Sequence, residues 1–155
     1  MIALKLFLWN LYPPFVGAGI QILRVDPAWR SMDVRVRLRW WNKNIVGTMF
    51  GGAIYSACDP FHMVLLMQRL GPAYVVRDKG AELKFLKKGL GSVTIHFALE
   101  EATVQKILAC PDEVQEGRFI ARPQNEAGEV IAEVVKVLHI RRIKKSAESA
   151  LLPNT

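Results

Sequence analysis

Two cysteines in 155 residues, Cys58 and Cys110, are too few to staple a secreted scaffold, and their separation matches no metal-binding spacing. Free thiols in a reducing, cytoplasmic setting are therefore expected, with Cys58 as a small core residue. Histidine is also scarce. His62, His96 and His139 stand apart from any cluster of ligating side chains, so no metal is expected. A serine nucleophile elbow and a phosphate-binding glycine loop are missing too, which excludes the best-marked hydrolase and nucleotide-binding motifs. The apolar residues 1–12 enclose Lys5, stop at Pro13-Pro14 and lack both a basic leader and a cleavage site. They fall short of the about 20 residues that span a bilayer. The expectation is an amphipathic helix packed on the domain or on a partner subunit.

What is present suits one globular domain over residues 1–145, with 146–155 as a loose tail. Half of the chain is apolar (51%), enough to bury a full core. The formal charge of +7 invites a nucleic-acid reading. The positive residues are scattered, however, and Arg35, Arg37 and Arg39 alternate with apolar neighbours as one solvated face. No recognition helix or stacking pattern accompanies them, so no nucleic acid is expected. Two local clusters remain, Lys87-Lys88 and the basic run at residues 141–145, either of which suits an anionic ligand.

Hydropathy supplies the order of elements. Residues 19–25 form a short apolar run closed by Asp26-Pro27, and residues 33–40 alternate strictly between apolar and charged, the period of a half-buried strand. A long apolar stretch over 49–70 follows, with Met63, Leu66, Met67 and Leu70 at helical steps and Gly71-Pro72 as its stop. It predicts one central helix of about 20 residues, buried on most sides. The rest reads as strands over 73–86, bent at Gly80, and over 92–99, 117–122 and 128–143, with a short helix at 102–109. Helices do not alternate with strands, so a parallel doubly wound sheet is excluded. The pattern predicts an α+β fold in which a curved antiparallel sheet wraps a central helix.

The segment from Asn44 to Asp59 resembles the helix start of hotdog-fold acyl-CoA thioesterases of the phenylacetate-pathway type. In that family an asparagine precedes a His-Gly-Gly motif by six residues and an aspartate follows the histidine by nine. Here Asn44 lies six before Phe50, Gly51 and Gly52 match the glycines, and Asp59 lies nine after Phe50. Phe85-Leu-Lys-Lys-Gly89 and Asn125-Glu-Ala-Gly128 are similar to a strand end and the last hairpin of the same family, and the likeness covers roughly residues 15–143. It is nearest to an uncharacterised bacterial branch of tetrameric acyl-CoA thioesterases. The family histidine is Phe50 here, and a phenyl ring cannot do what an imidazole does.

The resemblance implies a hotdog domain that hydrolyses a fatty or aromatic acyl-CoA, without a cofactor, at a site shared by two subunits. Two glycines at a helix start let an acyl carbonyl approach free N–H groups, so Gly52 is a candidate oxyanion donor beside Gly51 and Phe50. Asp59 is the candidate nucleophile or general base, and Asn44 would orient water or substrate. Asp78 falls where relatives carry a hydroxyl facing the thioester, and Lys87 and Lys88 could meet the phosphates of coenzyme A. Along a continuous helix Asp59 would lie about 10 Å beyond Gly52, too far to act on one carbonyl. The catalytic reading thus needs a homodimer with antiparallel helices, which family members pair further into tetramers. A non-catalytic domain that binds acyl-CoA is the alternative. Asp59-Pro60 also reads as a cap and first-turn proline of a second helical segment, with His62 on the same face.

Overall fold

The computed structural model describes residues 8–143. The first part of the expected N-terminal helix, and the tail after residue 145, lie outside the described residues. Residues 8–10 are helical, and a further short helix, α1 (Pro13–Ala18), follows where the double proline was expected to end the segment. A proline at the first helical position loses only an N–H that would be unpaired anyway. Trp9 packs on Trp29 at 6.1 Å, and Asn10 accepts from the Ile22 N–H (2.7 Å) while donating to the Ile22 carbonyl (3.1 Å). This pair seals the backbone beside an irregularity in β1 (Ile20–Val25).

Strands β1, β2 (Ser31–Arg37) and β4 (Ser92–Ala98) form one antiparallel sheet in the order β1-β2-β4. Strands β3 (Tyr74–Phe85), β6 (Ala132–Arg142) and β5 (Val114–Ala121) form the other, in the order β3-β6-β5. Thr94 and Gln124 exchange two backbone bonds of 2.8 Å and join the two sheets. The expected single curved sheet is thus two three-stranded sheets held at one seam. A bulge between Asp78 and Gly80 bends β3 where the glycine predicted it. Among the described residues β3 pairs only with β6, so its other edge is free along twelve residues.

The central helix departs from expectation. It is two segments, α2 (Gly51–Ser56) and α3 (Phe61–Leu70), separated by a turn at residues 57–60. Pro60 supplies no N–H to continue the helical ladder and disfavours helical backbone at Asp59, so an unbroken apolar pattern does not give an unbroken helix. Phe61, Leu65 and Leu66 of α3 belong to one buried core with Met32, Val34 and Phe97 of the first sheet and Leu138 of the second. A last short helix, α4 (Glu101–Ala109), fills the connection from β4 to β5.

Phe97 is fully buried and meets Phe61 and His62 at ring distances of 5.2 and 5.0 Å. Phe97→Ala is expected to lower unfolding stability by about 3–5 kcal/mol. Urea denaturation checks it, through a lower midpoint at unchanged slope.

Candidate functional site

Strand β6 alternates burial along its length, with Ala132, Val134, Leu138 and Ile140 directed into the core. Lys136 occupies the same inward phase and is only 1% exposed. A buried ammonium must be paired to remain charged. Its Nζ donates to Asp59 Oδ1 at 2.6 Å and lies 2.9 Å from Asp78 Oδ1, and it sits 5.6 Å above the Tyr55 ring. Burial pulls the Lys136 ammonium toward neutrality, but the hydrogen bonds to Asp59 and Asp78 outweigh it and hold its pKa above the ordinary lysine value. The cluster joins the turn between α2 and α3, strand β3 just before its bulge, and the centre of β6.

The two aspartates keep a path to solvent, with side-chain exposures of 42% for Asp59 and 31% for Asp78. Asp59 therefore has one oxygen fixed by Lys136 and the other available. His62, three residues on, does not bond to Asp59. Its ring packs between Phe97 and Phe119, with Nδ1 buried and unpartnered. Burial, reinforced by the Lys136 charge, brings its pKa down to about 4. Burial likewise pushes the Cys58 thiol up to about 12.

The glycines of the helix start are separated from this cluster. Gly51 lines a cavity of about 430 Å³ together with Asn44, Phe85, Lys87 and Lys88. Gly52 lines another, of about 380 Å³, with Phe50, Trp41, Lys43 and Ser56. Neither cavity is lined by Asp59, Asp78 or Lys136. Both glycines leave room for aromatic rings: a Cβ on Gly51 would fall 2.7 Å from Phe85 Cζ, and one on Gly52 would fall 2.3 Å from Phe50 Cε1. The Phe50 ring thus folds back over the second glycine. The N–H groups of Gly51 and Gly52 precede the first helical hydrogen bond and have no acceptor within α2.

Asn44 is committed to its own loop. Its Oδ1 accepts from the Val46 and Thr48 N–H groups (3.1 and 3.0 Å), and its Nδ2 donates to Thr48 Oγ1 at 2.8 Å. Lys87 pairs with Glu129, whereas Lys88 is exposed.

Sequence reasoning brought Asp59 and Asp78 forward separately and missed Lys136, the residue that joins them. A signal was present: a lysine falls in step with Ala132, Val134, Leu138 and Ile140. Val135 and Val137 blur it, because both phases of the strand carry apolar residues there.

A curved antiparallel layer packed around a helical centre is the hotdog fold. Solved structures share it at low identity. A Pseudomonas aeruginosa protein of unknown function, named a probable thioesterase, superposes with a TM-score of 0.80 at 20% identity, over 92% of this chain and 97% of its own. A Chlorobaculum tepidum protein with unknown function gives 0.73 at 18%, over 92% and 95%. A Haemophilus influenzae thioesterase gives 0.65 at 11%, over 90% of both chains. No curated protein matches. Residues 2–140 match the family described as Domain of unknown function (DUF4442), and the chain belongs to that family.

Two outcomes follow from the cluster. Lys136→Met is expected to destabilise the fold by about 1–3 kcal/mol, less than a fully buried pair would lose because both carboxylates reach water. Because its folded pKa is raised, the Lys136 contribution is complete below the unfolded value of about 10.4 and fades as pH climbs through the folded one. Denaturation at neutral and alkaline pH reads both. His62 has the opposite sign, its folded pKa lying below the unfolded 6.5. The fall to about 4 corresponds to about 3 kcal/mol, lost as pH drops through that window. His62→Leu should flatten this acid-side loss in pH-dependent melts.

Proposed function

We propose that this protein hydrolyses acyl thioesters of coenzyme A, with Asp59 as its working carboxylate. The observation that carries the reading is the Asp59–Lys136–Asp78 cluster, which holds one aspartate oxygen and leaves the other exposed seven residues beyond a Gly-Gly helix start. A fixed, ionised carboxylate with a free lone pair can take a proton from water. The resulting hydroxide adds to the thioester carbonyl, and the tetrahedral oxyanion collapses with cleavage of the C–S bond. The departing thiolate recovers the proton from Asp59. Direct attack by Asp59, giving an anhydride that water then opens, uses the same atoms in another order.

The oxyanion requires free donors; Lys136 is committed to Asp59 and Asp78, and the cavities lined by Gly51 and Gly52 of the same chain do not include Asp59. Gly51 and Gly52 N–H groups of a second copy are the natural source, so the site is read as lying between two subunits. The free edge of β3 offers a surface on which such a pair can form. Asn44 acts in this reading by fixing the 44–48 loop that shapes the approach to the glycines. Lys88, with Lys87, suits the phosphates of coenzyme A, and the aromatic rings of Phe50 and Phe85 suit an apolar acyl group.

One observation favours a second reading. The Phe50 ring lies against Gly52, where the carbonyl of a substrate would come, so a domain that binds acyl-CoA without cleaving it accounts for the same residues.

A panel of short, long and aromatic acyl-CoAs with thiol detection tests the proposal. Wild type is expected to release coenzyme A, and Asp59→Asn to lower kcat/KM by at least about 100-fold while remaining folded. Binding without turnover across the panel would select the second reading. Neither binding nor turnover would reject both.

A further inference from the structure

We propose that the face built by α1, the 38–50 loop and the connection from β3 to β4 docks on an anionic lipid bilayer. These three segments are joined in space. The Asn42 side chain donates to the Ala18 carbonyl at the end of α1, at 2.9 Å. The Leu38 and Met49 N–H groups donate to the Gly91 and Gly89 carbonyls, at 2.9 and 2.8 Å.

The apolar part of the face is uncovered. Ile45 is fully exposed, Trp40 is 82% and Val46 73% exposed, and Trp40 meets Trp41 edge-on at 5.5 Å. Leu86 and Leu90 are exposed on the neighbouring connection. Apolar side chains of this size left bare together mark a contact surface. Tryptophans beside aliphatic residues at a loop tip suit the level where lipid headgroups meet acyl chains.

Charge identifies the partner. No acidic residue occurs between Asp33 and Asp59, a stretch that carries Arg35, Arg37, Arg39 and Lys43. None occurs between Glu82 and Glu100, which encloses Lys84, Lys87 and Lys88. The carboxylates that meet these segments are at the rim, Glu82 pairing with Lys84, Glu129 with Lys87, and Glu126 accepting from the Ser92 N–H. Arg37, Arg39, Lys43 and Lys88 form no salt bridge among the described residues. A two-fold contact through the loop tip itself would bring the same cations together, so Trp40, Ile45 and Val46 are placed outside the subunit pairing drawn through the β3 edge. Nucleic acid would satisfy the cations but offers nothing to Ile45 and Val46. Anionic lipid satisfies both, by attraction at the surface and by burial of the loop tip. Lipid docking does not require thioester hydrolysis, although Lys87, Lys88 and the 44–48 loop also border the glycine cavity assigned to coenzyme A.

Co-sedimentation of the full chain with vesicles tests it. Binding is expected to phosphatidylcholine mixed with phosphatidylglycerol, to weaken in high salt, and to be at least about tenfold weaker on pure phosphatidylcholine. Arg39→Glu with Lys43→Glu should reduce binding to mixed vesicles about tenfold or more. Ile45→Ser with Val46→Ser should reduce it while leaving the thermal melt unchanged. A wild-type protein that stays in the supernatant with mixed vesicles overturns the proposal. So does a loop-tip variant that binds vesicles normally but changes oligomeric state by light scattering, which makes the face a subunit contact. Tighter binding to RNA or DNA than to mixed vesicles at equal salt overturns it as well.

Discussion

An ammonium group enclosed in the core needs carboxylates, and the way this protein supplies them to Lys136 organises much of its architecture. One carboxylate comes from the turn between α2 and α3, the other from β3 next to its bulge. Removing a lysine head from water costs several kcal/mol before any pairing is counted, so the strand, the turn and the bulge must come into register together. The bond between Lys136 and Asp59 spans 77 positions of sequence. It is a long-range condition on the fold that local propensity alone could not satisfy.

The same bond decides what the broken helix presents. A continuous helix would have set Asp59 by its rotation about the axis alone. With the ladder interrupted at Pro60, its direction is set by Lys136 instead, across the interior from β6. The break also separates the roles of the two segments. The longer α3 buries Phe61, Leu65 and Leu66 in the core, while the six-residue α2 carries the glycines toward the surface cavities. A carboxylate set by the sheet and amides set by a short helix can then be positioned independently.

Strand periodicity was the most legible part of the sequence, because alternation in β2 and β4 follows directly from one wet and one dry face. The helix break was less legible, since apolar residues continue through it and only Asp59-Pro60 marks it. The spacing from Asn44 to Asp59 pointed to a site but not to its shape. Rings packed over Gly51 and Gly52, and an Asn44 side chain saturated by its own turn, depend on contacts that no spacing encodes. Lys136 was hidden for a related reason. Its inward phase exists only relative to a core, and valines on both faces of β6 obscured which face that was.

Cys58 gives this arrangement a clock. It stands next to Asp59, is wholly enclosed, and has a thiol that burial keeps protonated. Alkylating reagents need a thiolate and a path, and the closed junction denies both. Modification of Cys58 can therefore proceed only through molecules whose helix junction has come open, and its speed reports how often the Lys136 cluster lets go. Cys110, partly exposed at the end of α4, supplies an unprotected reference within the same chain.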